Sequence, residues 1–210
     1  MTRIDALPAV APDNLPDADR PTIIQAPPDG IAPAWFARAG LPLEGAEAAA
    51  IIAMLRALDV DASTTPTLEI EQASWHELVR ILREEDHDNQ WWDAEESERE
   101  RLWTIGADRM TERALVEVLG EAARAVAIDI FAAASALGVN GAVGPDSNAV
   151  AGPHSVVKRA AAEAALLAVH QHSLAALADA GPDHYFVIKY ALFAGGRWPL
   201  GPRAGKFLIL

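Results

Sequence analysis

Asp129 stands in one of the greasiest stretches of the chain, Val126-Ala-Ile-Asp-Ile-Phe-Ala-Ala133. A carboxylate in such company is costly to bury unless it is paired or stays protonated with a raised pKa. It could serve as an acid/base group or as a ligand to an ion. The plainer expectation is an internal ion pair with Lys158 or Arg159, or a hydrogen bond to loop amides.

A second constellation lies downstream. Gly152-Pro-His154-Ser155 leads into a run with Lys158 and Arg159 near its start. Free amides at a helix N-terminus bind anions, and basic side chains there oppose the helix dipole. They therefore need a partner, either an anionic ligand or a carboxylate such as Asp129 or Asp146. Arg159, Glu163 and His170 follow at i, i+4 and i+11, on one helix face. Asp129, His154, Lys158, Arg159, Glu163 and His170 form the candidate ligand-binding set.

Other chemistries find less. His170 and His172 are two residues apart and diverge on a helix, so they do not chelate as a pair. Neither is preceded at three residues by the glutamate that di-metal helical bundles use, since those positions hold Leu167 and Val169. No metal is expected. Gly138, Gly141 and Gly144 match neither the dinucleotide fingerprint nor the phosphate loop of nucleotide-binding enzymes. No cofactor is expected either. There is no Gly-x-Ser-x-Gly elbow, and His76-Glu77 lacks the second histidine of a zinc-protease helix. The chain has no cysteine, which excludes disulfides, thiolate metal sites and thiol nucleophiles.

The third constellation is acidic. Glu84 to Glu100 holds nine carboxylates and one arginine, with Trp91-Trp92 in its middle. Glu84, Glu85, Asp86, Asp88, Trp91 and Trp92 could form a docking face, since tryptophan is enriched at interface hot spots. The blander alternative is a solvated helix face whose tryptophans turn inward. Residues 1–105 carry the whole net charge of −13, and the rest sums to zero. Such a chain repels nucleic-acid phosphates, so a basic protein is the better partner.

These residues need elements to hold them. Two Ala-rich segments, 109–137 and 155–179, read as an antiparallel helical hairpin joined by the Gly-rich loop 138–153. A loop centred near Asp146 sets Glu121 toward His170 and His172, and Asp129 toward Glu163 and Arg159. A pocket would lie between the two helices under that loop. Past Ala125 the first helix is apolar nearly all round, which implies burial on several sides.

Elsewhere, Glu44–Leu58 reads as a helix, Trp35-Phe36 as a buried anchor, and Ser74 with Glu77 as a capping box. Asp108 or Thr111 can cap the hairpin's first helix. Thr67–Glu71 alternates like a short strand, and the apolar end, Lys206–Leu210, should be packed or paired, with that strand as a partner. Residues 185–190 have strand-like composition but follow a Gly-Pro-Asp cap, and a helix is expected. Residues 1–34 carry seven prolines and form an irregular arm. The fold is therefore mainly α, a multi-helix bundle around the hairpin with at most a small β element, as a single domain over 35–210. The arm and the end Phe207–Leu210 are natural pieces for exchange between subunits of a homo-oligomer.

The start lacks an apolar leader, and Asp129 and Glu163 interrupt the longest greasy runs before the roughly 18 residues of a membrane span. A cytoplasmic protein without membrane contact is expected. The leading functional expectation is non-catalytic protein–protein binding. The alternative is an enzyme or small-anion binder using the pocket between 109–137 and 155–179.

Overall fold

A computed structural model describes residues 33–58, 69–73, 75–82, 89–137, 152–203 and 205–210. Residues 1–32 of the Pro-rich arm, Thr67, Leu68, Ser74, Glu84, Glu85, Asp86, Asp88 and the loop residues 138–151 lie outside the described residues. Six helices and three short strands appear among those described: α1 (Gly45–Ala57), β1 (Glu69–Gln72), α2 (Trp75–Ile81), α3 (Asn89–Arg109), α4 (Glu112–Ala136), α5 (Gly152–Leu177), α6 (Tyr185–Ala194), β2 (Pro199–Arg203) and β3 (Lys206–Ile209). The mainly helical bundle with a small β element is the observed architecture.

Local chemistry sets the helix starts. Glu44 and Glu47 form a reciprocal capping box at α1. The Thr111 hydroxyl accepts a hydrogen bond from the Ala114 amide at 3.3 Å and opens α4. His184 opens α6, its Nδ1 accepting from the Phe186 amide at 3.2 Å. That cap, together with burial of Tyr185, Phe186, Lys189, Leu192 and Phe193, outweighs the strand propensity of this segment.

The hairpin forms as α4 packed on α5. Alanines 134, 161, 162, 165 and 168 are buried between them with Ile130, and their small side chains let the helix axes approach closely. Trp35 and Phe36 close the same cluster against Phe193 and Trp198, with Phe36 edge-on to both rings. A second cluster joins Ile51 and Met54 of α1, Leu102 of α3, Leu115 and Leu119 of α4, Leu174 of α5 and Tyr185 and Phe186 of α6. Phe207 and Ile209 of β3 belong to it too.

The strand order is β1-β3-β2, with β3 parallel to β1 and antiparallel to β2. The register pairs Glu69 with Lys206 and Gln72 with Ile209. The expected partnership between the chain's apolar end and the segment around 67–71 is thus present. Phe207 to Leu210 are all buried, as expected of a central strand and the residue that follows it.

One residue ties the two ends of the described chain together. Arg197, only 1% exposed, donates to the carbonyls of Arg38, Leu41 and Pro42 and to both carboxylate oxygens of Glu47. Next to it Gly196 has φ +97°, and a Cβ there would lie 2.9 Å from the Arg38 amide nitrogen. Only glycine fits that approach.

The second half of α4 departs from expectation. It is buried on one side only, against α5, and Ile128 (82% exposed) and Phe131 (51%) face outward. No described helix is long and apolar enough to cross a membrane.

Candidate functional site

α3 carries most of the polar chemistry, and its two faces do different things. Trp91, Glu95 and Leu102 lie at i, i+4 and i+11 and are buried. Trp91 packs against the rings of Tyr185 and Phe207, with centroids at 5.6 and 5.8 Å. Glu95 is enclosed by three donors from two other helices. Lys189 Nζ reaches Oε1 at 2.6 Å, Gln171 Nε2 reaches Oε1 at 2.7 Å, and Tyr185 OH reaches Oε2 at 2.7 Å. Tyr185 and Lys189 are four residues apart, so one face of α6 delivers both.

Burial alone would raise the Glu95 pKa. The Lys189 charge and the hydrogen bonds from Lys189, Tyr185 and Gln171 outweigh it, and the carboxyl is held below its ordinary value. Burial and the adjacent Glu95 charge push the Tyr185 phenol well up, so it remains a donor. All four side chains are buried, and the Glu95 carboxylate, the Lys189 ammonium, the Tyr185 hydroxyl and the Gln171 amide nitrogen meet one another. Chemically this is a satisfied internal ion pair.

Beside it, His184 Nε2 meets Glu98 Oε1 at 2.7 Å, and Arg101 holds the same carboxylate. Next in sequence to Gln171, His172 stacks on Tyr190 with centroids 4.2 Å apart. Nδ1 of His170, Nδ1 of His172 and Oε1 of Gln171 are buried and find no hydrogen-bond partner among the described residues. Burial lowers the pKa of both imidazoles, and the Arg99 charge lowers that of His170 further.

The outer face of α3 presents Trp92, 43% exposed, together with Asp93, Glu96 and Glu100. Part of the acid run is neutralised within the helix, because Arg99 pairs with Glu96 and Arg101 with Glu98. The two tryptophans therefore separate. A step of one residue turns about 100° around a helix, which sends Trp91 to the core and Trp92 to the surface.

The residues expected to line a pocket are placed differently. Asp129 is exposed, and the anticipated internal pair with Lys158 or Arg159 does not form. The buried stripe of α4 runs through Leu115, Leu119, Ala122, Ile130 and Ala134, and Asp129 points off that stripe. Arg159 is exposed and pairs with its own neighbour, Glu163, at 2.8 Å. Glu121 is exposed as well. Lys158 is half-buried and His170 half-buried. His154 lies in the first turn of α5. That helix begins at Gly152, so Lys158 and Arg159 fall beyond the turn with free amides. Among the described residues of the set, Arg159 and Glu163 are joined. No group of three His, Asp or Glu side chains that could hold a metal occurs among the described residues.

Sequence reasoning passed over Glu95, Gln171, Tyr185 and Lys189. A signal existed for two of them. Lys189 is the lone charge in Tyr185-Phe-Val-Ile-Lys-Tyr-Ala-Leu-Phe193, and a lysine in such a run needs a carboxylate. Glu95 shares the helical phase of Trp91 and Leu102. Compared with family models, with curated proteins and with solved structures, the chain matches none.

Proposed function

We propose that the protein acts without catalysis, by binding another protein whose contacting surface is basic. The observation that carries this reading is Trp92. It is a large aromatic side chain, 43% exposed, on the same face of α3 as the exposed Asp93, Glu96 and Glu100. The sequence adds Glu84, Glu85, Asp86 and Asp88 just before that helix. An aromatic anchor inside an acidic rim suits an arginine-rich surface, through ring stacking and charge pairing. Several of the described polar groups fit the same reading. Glu95, Tyr185 and Lys189 are buried and mutually satisfied, and Asp129, Arg159 and Glu163 lie on the surface.

The test is titration of the full chain with an oligoarginine peptide, followed by calorimetry at two salt concentrations. Binding should weaken with salt, and Trp92→Ala combined with Asp93→Lys and Glu100→Lys should reduce affinity at least tenfold, or about 1.4 kcal/mol. Circular dichroism should show the helices retained, since Asp93 and Glu100 are exposed and Trp92 is 43% exposed. Retained affinity would sink the reading. So would an equal loss on reversing Asp108 and Glu112, because net charge alone would then explain the binding.

A further inference from the structure

We infer that α4 is the surface through which two copies of this chain associate, antiparallel, about a twofold axis between Gly120 and Glu121. Three observations on α4 lead there, and none involves the outer face of α3.

The first is charge without partners. Arg113, Glu117, Glu121 and Arg124 are all exposed, and none forms an ion pair with any described residue. On α3, by contrast, three acids, Glu95, Glu96 and Glu98, are each paired within the chain.

The second is Gly120. It sits in the middle of a 25-residue helix, where glycine costs about 1 kcal/mol relative to alanine. A Cβ at this position would meet nothing within 4 Å. No contact within the described chain requires a glycine there. A missing side chain on a helix surface does let a second helix backbone come close.

The third is apolar exposure at the right phase. Arg113, Glu117, Gly120, Arg124, Ala127 and Phe131 follow one another at alternating steps of four and three residues. That spacing makes a straight seam for a second helix at a shallow crossing angle. Val116 (54% exposed) and Ile128 flank the seam on its two sides.

A second copy of α4 complements this seam. With the axis between Gly120 and Glu121, Glu117 of each chain faces Arg124 of the other, which gives two symmetric ion pairs. Val116 lies within a turn of Ala127 of the other copy, on the same side of the seam. Arg113 faces Ile128 and can lay its aliphatic stem along it. Gly120 meets the partner helix next to the axis, where the backbones are closest. Arginine opposes glutamate and apolar opposes apolar, so an isologous contact closes as a dimer.

The test uses the full chain in sedimentation velocity from micromolar to near-millimolar concentration. The wild type should pass from monomer to dimer. Glu117→Arg alone and Arg124→Glu alone should each weaken association at least tenfold, because each sets like charges across the axis. The two changes together should restore it. All these side chains are exposed, so circular dichroism should show intact helices in every variant. A second measurement uses the absence of cysteine. Glu121→Cys should form an intermolecular disulfide under mild oxidation, whereas Asp129→Cys should not. A chain that stays monomeric at every concentration overturns the inference. So does a dimer indifferent to the single reversals, a double variant that fails to recover, or cross-linking at 129 in place of 121.

Discussion

At the scale of residues, the molecule depends on a few buried charges. Glu95 and Lys189 are the deepest pair, and removal of one partner leaves the other charged and unmatched. Lys189→Met should cost about 3–5 kcal/mol in urea unfolding, whereas Glu95→Gln with Lys189→Met should cost clearly less than the sum of the two single changes. An additive result would mean that the pair is not coupled. Glu47 offers a pH test. The Arg197 hydrogen bonds hold its carboxyl down to about 2, against an ordinary 4.5. A carboxyl whose folded pKa is depressed adds stability above its unfolded pKa, and that stability is lost as pH falls through the folded value. Unfolding free energy should therefore decline from about pH 4.5 toward pH 2, and Glu47→Gln should flatten that part of the profile. An unchanged slope in the variant would assign acid sensitivity to other groups.

At the scale of elements, α4 and α6 show how caps and packing divide the work. The α4 cap is a single hydroxyl, and Thr111→Ala should lower stability by about 1 kcal/mol, measured by thermal melting. Gly120→Ala separates two roles of one residue. It should stabilise the folded monomer by up to about 1 kcal/mol by helix propensity, and it should weaken self-association by crowding the axis. A gain in both would argue against close helix approach at this site. α6 teaches the opposite lesson about propensity. Tyr185-Phe-Val-Ile favours a strand in isolation, yet the His184 cap and the inward Tyr185 and Lys189 make it a helix. Its i, i+4 spacing is what brings both donors to Glu95.

At the scale of the whole molecule, the chain's two termini of described structure meet. Arg197 binds carbonyls near residues 38–42, and β3 lies central between β1 and β2. Deleting Phe207–Leu210 should abolish cooperative unfolding, because it removes the middle strand and part of the second core cluster. A truncated chain that still melts cooperatively would show that the helices suffice. α5 contributes a second pH response. His170 and His172 are kept below their ordinary pKa by burial. The folded chain thus binds fewer protons than the unfolded chain just below pH 6.5. Stability should be full above that value and should fall as pH drops through the lowered folded pKa. The substitution His172→Phe should keep the stacking on Tyr190 and remove its share of the loss, as read from unfolding free energies between neutral and mildly acidic pH.

The sequence by itself determined the helical class, the Ala-rich hairpin, the anchor at Trp35-Phe36 and the pairing of the apolar end with a short strand. These are properties of local period and composition, and a side chain reports its helix or strand through its neighbours. The tertiary structure alone decided which polar residues met. Asp129 lies in an apolar stretch, but burial is a property of one helix side, and among the described residues α4 is covered on one side of that segment. Glu95 lies in an acid run, but its phase turns it into the core, where α5 and α6 supply Gln171, Tyr185 and Lys189 from 76 to 94 residues away. Contacts at such separations depend on how three helices pack, and no single stretch of the chain encodes that.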